Sequence, residues 1–593
     1  MCGIVGYIGK EKCISNIING LEKLEYRGYD SSGIAYVQNG NTIIKKAEGK
    51  IVNLKELINY DTESYIGIGH TRWATHGKPS DINSHPHRQG KITIVHNGII
   101  ENYKELKNEL KDYTFISETD TEVLAALIDK LYNEENDILK VLEKLPDYVI
   151  GSYALGIIVD GIDKLYTIRK DSPLIIGVSD KGNYIASDVP AILEYTNKYY
   201  LLDNCEYAVL DKDNVIIYHG GKKIEKELLT FEGNANSAML NGYSHFMLKE
   251  IYEQPIVIMD TINEYINDID KLKSTFKFLD KYSSIDIVAC GSSYHVGMLG
   301  KSLITKYGDI NVNVDIASEY RYTKHIYGKN HLIILISQSG ETADSLAVLR
   351  EAKESGIDTL AIVNVFKSSI AREADRVIYT KAGPEISVAT TKAYSCQFMI
   401  LSLMALYLGI KNNYLDESVI EEYKQIEKYI NNELRRVDRI KEIANLIYDK
   451  KDIFYLGRKL DYAIALEASL KLKEVSYLHS EAYAAGELKH GTISLIDENT
   501  PVISIITCDD IRLKTLSNVK EICARGGISI IISNEDIEDK TLYKSLLVVP
   551  KVIDLLEPLL VIVNCQLLAY YVADLNGCDI DKPKNLAKSV TVE

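Results

Sequence analysis

Only nine of the 593 residues are cysteine, and they are scattered, with no CxxC pair and no metal-ligand spacing. That scarcity excludes a disulfide framework and a cysteine-based metal cluster, and it fits a reducing compartment. The His85-Pro86-His87 pair has i,i+2 spacing without a nearby carboxylate cluster, a poor frame for a metal ion, so neither metal nor other cofactor is expected. No GxGxxG follows a strand and no P-loop occurs, which removes dinucleotide- and nucleoside-triphosphate-binding folds from consideration. Positive charge is in short supply: 68 Lys and Arg stand against 84 Asp and Glu, for a net charge of −16 and a pI near 5.4. General affinity for nucleic acid needs clustered positive charge and is not expected. The N-terminus lacks a charged segment leading into an apolar one, so no signal peptide is expected. The longest uncharged run, residues 393–410, contains Ser395, Gln397, Ser402 and Tyr407 and reads as a buried helix rather than a membrane span. The expectation is a cytoplasmic protein with no nucleic-acid and no membrane partner.

What is present is an ordinary globular balance, 46% hydrophobic and 26% charged, on a chain too long for one core. Residues 1–230 mix short strand-like runs (4–8, 66–69, 92–95, 154–159, 207–210) with amphipathic helices over 12–24 and 122–132. This mixture suggests an α+β domain of packed sheets. A polar, small-residue stretch makes 231–245 the linker. Beyond about residue 280 the rhythm changes to apolar strand, small-residue turn, helix, as in 285–289, 332–336 and 359–363. It recurs at 452–456, 502–506 and 528–532, an offset of roughly 170 residues that predicts two doubly wound parallel α/β domains. The expected boundaries are 246–420 and 421–580, each with leading helices, and a tail at 581–593. Only the first copy carries Ser337-Gln338-Ser339-Gly340-Glu341-Thr342; the second has Thr507-Cys508-Asp509-Asp510 there. One copy is therefore expected to bind ligand through that turn, and the other not.

Cys2 directly follows Met1. Removal of Met1 would leave a free amine beside the thiol, able to act as its base. Alone, Cys2 reads better as an ordinary small apolar residue at a strand start. Its company decides. Cys2-Gly3-Ile4-Val5-Gly6, Tyr26-Arg27-Gly28-Tyr29-Asp30, Gly69-His70-Thr71-Arg72-Trp73-Ala74-Thr75-His76-Gly77, His96-Asn97-Gly98 and Ser117-Glu118-Thr119-Asp120 occur in order across the first domain. This region resembles the class II glutamine amidotransferases. The resemblance implies an N-terminal-nucleophile αββα sandwich in which Cys2 attacks the glutamine amide, with Asn97 and the Gly98 N–H receiving the oxyanion. It also implies that Arg72 clamps the glutamine carboxylate and Asp120 its ammonium group, with Arg27 and His76 at the glutamine site. Trp73, the only tryptophan, would gate the passage of ammonia. His70, His85, His87 and His96 stay open as structural residues.

In the second half, a strand running into Ser337–Thr342 and then a helix is an anion seat: backbone N–H groups at a helix start, plus hydroxyls. A simple helix cap needs only one such hydroxyl. That turn, Cys290-Gly291-Ser292-Ser293, Val388-Ala389-Thr390-Thr391-Lys392, 467–491 and 583–593 resemble the sugar isomerase (SIS) domains. The whole chain resembles the glucosamine-6-phosphate synthase family, with serine at 292 and threonine at 390 where the reverse hydroxyl residue is usual. The resemblance implies two substrates, glutamine and fructose 6-phosphate, and a homodimer. Ser292, Ser337, Gln338, Ser339, Thr342, Val388 and Lys471 would bind the sugar phosphate. Glu474 would move the proton between sugar carbons, His490 would open the ring from the neighbouring chain, and Lys588 would meet the sugar carbonyl. Ala587 would lie with Trp73 along the ammonia path. Without the resemblance, Lys471, Lys473 and Glu474 read as a solvated helix face. Competing readings are another amidotransferase, which would need a diphosphate or ATP signature, a non-catalytic phosphosugar sensor, and a glutaminase that leaks ammonia.

Overall fold

The computed structural model describes residues 2–74, 76–231 and 240–591. Met1, Thr75, most of the expected linker (232–239) and the last two tail residues lie outside the described residues. The chain divides into two compact units, residues 1–239 with 587–593, and residues 240–586.

The first unit is built on an eight-stranded and a seven-stranded sheet, with antiparallel strand pairing in both. Alternating strand residues put Ile4, Ile8, Ile66, Ile68, Val95, Ile158, Leu165 and Ile185 into one apolar layer drawn from both sheets. Helix Cys13–Leu24 covers the outer face of the first sheet through Ile14, Ile17, Ile18 and Leu21. Helices Asp120–Glu135 and Ile138–Tyr148 cover the second. The result is the four-layer αββα sandwich expected.

The second unit contains two five-stranded parallel sheets. The first runs Asn311–Ile316, Ser284–Ala289, His331–Ser337, Asp358–Val363, Arg376–Tyr379; the second runs His479–Ala484, Asp452–Gly457, Pro501–Ile506, Ile528–Ser533, Ser545–Val548. Strand order is the same, 2-1-3-4-5 within each copy, so the repeat read from the sequence is a repeat of topology. The copies do not form two separate cores. Helices Lys392–Lys411 and Glu557–Leu575, apolar around nearly their whole circumference, join residues of both copies in one continuous core. A helix apolar on all sides has to be buried on all sides, and each copy supplies only part of that cover. By length and composition both helices could cross a membrane, but their apolar windows are 94% and 83% buried inside the protein.

Candidate active sites

In the first unit, strand Gly3–Gly9 pairs with strand Ile66–Arg72 so that Gly3 faces Thr71. That register sets Cys2 beside Arg72 and Trp73. The Trp73 N–H lies 3.3 Å from Cys2 Sγ. Gly28 lets a third segment cross here, since a Cβ at that position would meet the Arg72 carbonyl carbon and the Trp73 nitrogen at 2.6 Å. Asp120 arrives from the other sheet layer as the first residue of helix Asp120–Glu135. Thr119 caps this helix, accepting from the Glu122 N–H, and acidic residues in its first turn suit the positive end of the helix dipole. Asp120 itself accepts the Ile100 N–H at 2.9 Å.

These residues converge. Cys2, Arg72, Trp73, His76, Gly98, Asp120 and Thr121 line one pocket of about 260 Å³, with His85 and His96 in its wall. Arg72 donates through Nη2 to the carbonyls of His76 and Gly77. Its buried Nη1 makes no hydrogen bond among the described residues, which leaves half of the guanidinium fork for a carboxylate. Burial raises the Cys2 thiol above its ordinary pKa, against the lowering pull of the Trp73 N–H and Arg72. Asn97 differs from its expected pose: its amide nitrogen donates to the Cys2 carbonyl (2.9 Å) and to Ser187 Oγ (2.8 Å). An oxyanion could use Asn97 only by displacing one of these, whereas Gly98 already faces the pocket. Arg27 does not line the pocket. It pairs with Asp188 at 2.9 Å and donates to the Ser187 carbonyl at 3.3 Å.

Behind the pocket, His70 stacks on His85 at 4.0 Å, and His87 and His96 flank them. Burial drives His70 down to about 3 and lowers His85, His87 and His96 as well, so all four stay neutral. Neutral rings serve as hydrogen-bond hubs: His70 Nε2 lies 3.1 Å from Asn97 Oδ1, and His96 Nδ1 lies 2.9 Å from Thr121 Oγ1.

In the second unit, the Ser337–Thr342 turn connects strand His331–Ser337 to helix Ala343–Glu354. Ser337 Oγ accepts the Gly340 N–H at 3.0 Å and shares a 2.9 Å hydrogen bond with Thr342 Oγ1. Thr342 stands at the N-cap position but accepts no capping hydrogen bond, so its hydroxyl is not used as a simple cap. Gly340 has φ of +64°, and a Cβ there would meet Ser368 Oγ at 2.0 Å, so the sharp turn requires glycine. Ser292 is the second residue of the neighbouring helix Gly291–Gly308.

The helix Leu460–Ser476 carries the densest charge cluster. The Lys471 side chain is 1% exposed, bonded to Glu474 and 3.6 Å from Glu467, whose side chain is wholly buried. This settles against the solvated-face reading: of that stretch only Lys473 is exposed. Burial works to neutralise Lys471, but Glu474, Glu467 and Glu385 outweigh it and hold its pKa above the ordinary value. Glu467 in turn is 2.8 Å from His295 Nδ1, on the helix that bears Ser292. Glu385 accepts from Thr390 Oγ1 and from the N–H groups of Thr391 and Ala393, shaping the 385–392 loop. Val388 donates its N–H to the Asp581 carbonyl at 3.0 Å, and the Asp581 carboxylate caps the backbone of Phe246 and Met247.

Sequence reading missed His295, Glu467 and Glu385. The i, i+4, i+7 spacing of Glu467, Lys471 and Glu474 was a usable signal, since it sets all three on one helix face. His490 ends the short turn Glu487–His490, exposed, and no hydrogen bond or ion pair joins it to the Lys471 cluster among the described residues. Of the tail, 581–586 packs within the second unit, while Ala587 and Lys588 group with the first.

Comparison with known proteins agrees with both halves. The glutamine amidotransferase domain family matches residues 70–194, and the SIS domain family matches 278–407 and 446–548. Over its full length the chain is 50% identical to the glutamine–fructose-6-phosphate aminotransferase (isomerizing) of Caldanaerobacter subterraneus subsp. tengcongensis. It is 49% identical to that of Clostridium acetobutylicum, with both relatives also covered completely. Among solved structures, the C-terminal domain of glucosamine-fructose-6-phosphate aminotransferase from Francisella tularensis is 39% identical, with a TM-score of 0.55. The match covers 58% of this chain and 99% of that one.

Proposed function

The chain belongs to the glutamine–fructose-6-phosphate aminotransferase (isomerizing) family, and from that premise we propose how its two units divide the reaction. The enzyme transfers the amide nitrogen of glutamine to fructose 6-phosphate, giving glucosamine 6-phosphate and glutamate. One observation carries the division of labour: the same chain holds a nucleophile pocket around Cys2 and, in the other unit, a buried Lys471 between Glu467 and Glu474.

In the first unit the α-amine freed by removal of Met1 takes the Cys2 thiol proton as Sγ attacks the glutamine side-chain carbonyl, and passes it to the departing nitrogen. The amide C–N bond breaks, ammonia leaves, and water hydrolyses the thioester to glutamate. The open Nη1 of Arg72 suits the substrate carboxylate, and Asp120 its ammonium group. In the second unit the phosphate sits on Ser337, Gln338, Ser339 and Thr342, with Ser292 and Val388 beside the sugar. After ring opening, ammonia adds at C2 and water leaves, forming an imine. Glu474 then removes a proton from C1 and returns one to C2, which turns the ketose imine into an aldose amine. Lys471 holds the Glu474 carboxylate in place through their ion pair.

The exposure of His490 supports a role at the sugar site of a second copy, and hence a homodimer. Lys588 is read as the group that meets the sugar carbonyl, and the compartment as cytoplasmic. The test is an assay of purified protein with both substrates, following glutamate and glucosamine 6-phosphate together. Equal yields, both abolished in Cys2→Ala, are expected. Glutamate without amino sugar would reduce the activity to hydrolysis or point to another acceptor.

A further inference from the structure

The second copy repeats the strand–turn–helix frame of the first, yet its turn is already filled. Asp461 is the second residue of helix Leu460–Ser476, as Ser292 is of helix Gly291–Gly308; each helix follows the first strand of its copy. The Asp461 side chain is fully buried. Its carboxylate accepts the Thr507 N–H at 2.9 Å, the Cys508 N–H at 3.3 Å and the Thr507 hydroxyl at 2.5 Å. Thr507 and Cys508 follow strand Pro501–Ile506, as Ser337 ends and Gln338 follows strand His331–Ser337. Two backbone N–H groups and a hydroxyl converging on one anionic oxygen pair is how a phosphate is held at such a turn. Here the anion is the chain's own.

A second carboxylate stands close by. Glu557 opens the long apolar helix of the second copy and accepts from Asn534 Nδ2 at 2.6 Å; that same nitrogen donates to the Thr507 carbonyl. The corresponding helix of the first copy opens with Lys392. The two helix starts therefore differ in the sign of their first residue.

We propose that the Asp461 carboxylate is a built-in substitute for phosphate: it fills in the second copy the seat that the first copy offers a phosphate monoester, and removing it opens a second phosphate site. The inference rests on the reading of the Ser337–Thr342 turn as the phosphate seat. Its chemistry explains why one copy is silent without any change of fold. A dianion cannot displace a covalently attached carboxylate whose effective concentration at the turn is set by the chain itself, and Glu557 repels it further.

The full chain, without glutamine, is titrated with glucosamine 6-phosphate by calorimetry or equilibrium dialysis. Native protein is expected to bind one per chain, and Asp461→Ser two, with Asp461→Ser/Glu557→Gln binding the second at least severalfold more tightly. In a Ser337→Ala/Thr342→Ala background the native site is lost, and Asp461→Ser restores one. If the serine and alanine changes leave native binding intact, the reading of the first turn fails, while the gain on Asp461→Ser still tests this proposal by itself. Two sites in native protein, or no gain in either folded Asp461 variant, would overturn it. Should Asp461→Ser prove too unstable to titrate, its refolding yield is measured with inorganic phosphate against chloride at equal ionic strength. A severalfold phosphate-specific rescue supports the proposal, and equal yields refute it.

Discussion

The two parallel sheets of the second unit share a strand order and a set of connections, but the ends of their central strands do different chemistry. In the first copy the turn is rich in hydroxyls, open, and preceded in the neighbouring helix by Ser292. In the second copy the equivalent turn is tied by Asp461, and the buried charge cluster of Glu467, Lys471 and Glu474 lies further along the same helix. Two frames of the same strand order thus carry different side chains, and the proposed function assigns holding to one and proton transfer to the other. The comparison also explains why the copies share a core. The His295–Glu467 contact joins helix Gly291–Gly308 of the first copy to helix Leu460–Ser476 of the second.

Breaking the reacting side should have the largest effect. Lys471→Ala leaves the buried Glu467 with His295 as its remaining partner and frees Glu474; amino-sugar formation is expected to fall by about 1000-fold, while glutamate release stays within a few-fold of native. The variant should also melt earlier, since removing one partner of a buried ion pair costs about 3–5 kcal/mol. Near-native amino-sugar output from Lys471→Ala would dissolve the division between the copies. Cutting the link between them comes next. His295→Ala is expected to lower kcat about tenfold with little change in KM, the scale of one hydrogen bond to a charged group, and His295→Gln should recover part of it. A change confined to KM would instead place His295 at the sugar.

The smallest effect belongs to the silent turn. Burial first, and then Asp461 and Asp509, hold Glu557 up at about 7 from an ordinary 4.5, despite the opposing Asn534 hydrogen bond. Between those values the folded protein keeps a proton that the unfolded chain releases, so stability falls as pH rises from about 4.5 to about 7 and levels off above that. The loss is on the order of 1–3 kcal/mol. Glu557→Gln should raise the melting temperature at pH 8 by a few degrees and leave that at pH 5 unchanged. An equal shift at both pH values would remove the charge from the explanation.

Much of this was legible in the sequence because the signals were local. Strand runs at 285–289 and 502–506, the Ser337–Thr342 turn and the buried helix at 393–410 all came out where they were read. The grouping of first-unit residues was also legible: Cys2, Arg72, Trp73, His76, Gly98 and Asp120 meet in one pocket. Asn97 does not line that pocket; its amide is engaged by Cys2 and Ser187, 95 and 90 residues away in sequence, contacts that no local pattern encodes. His295 and Glu467 are 172 residues apart, and Asp461 and Thr507 are 46 apart. Such pairs emerge only once the sheets are assembled. The shared core of the two copies was likewise hidden, because hydrophobic periodicity says that a helix is buried without saying by what.

The most direct test of the contrast is to measure kcat and KM for fructose 6-phosphate separately in Ser337→Ala/Thr342→Ala and in Thr507→Ala. The first is predicted to raise KM about 10- to 100-fold with kcat within a few-fold, the cost of hydrogen bonds to a bound anion. The second should leave both constants unchanged and only lower the melting temperature. A raised KM in Thr507→Ala, with an unaffected first turn, would contradict the assignment of holding to the first copy.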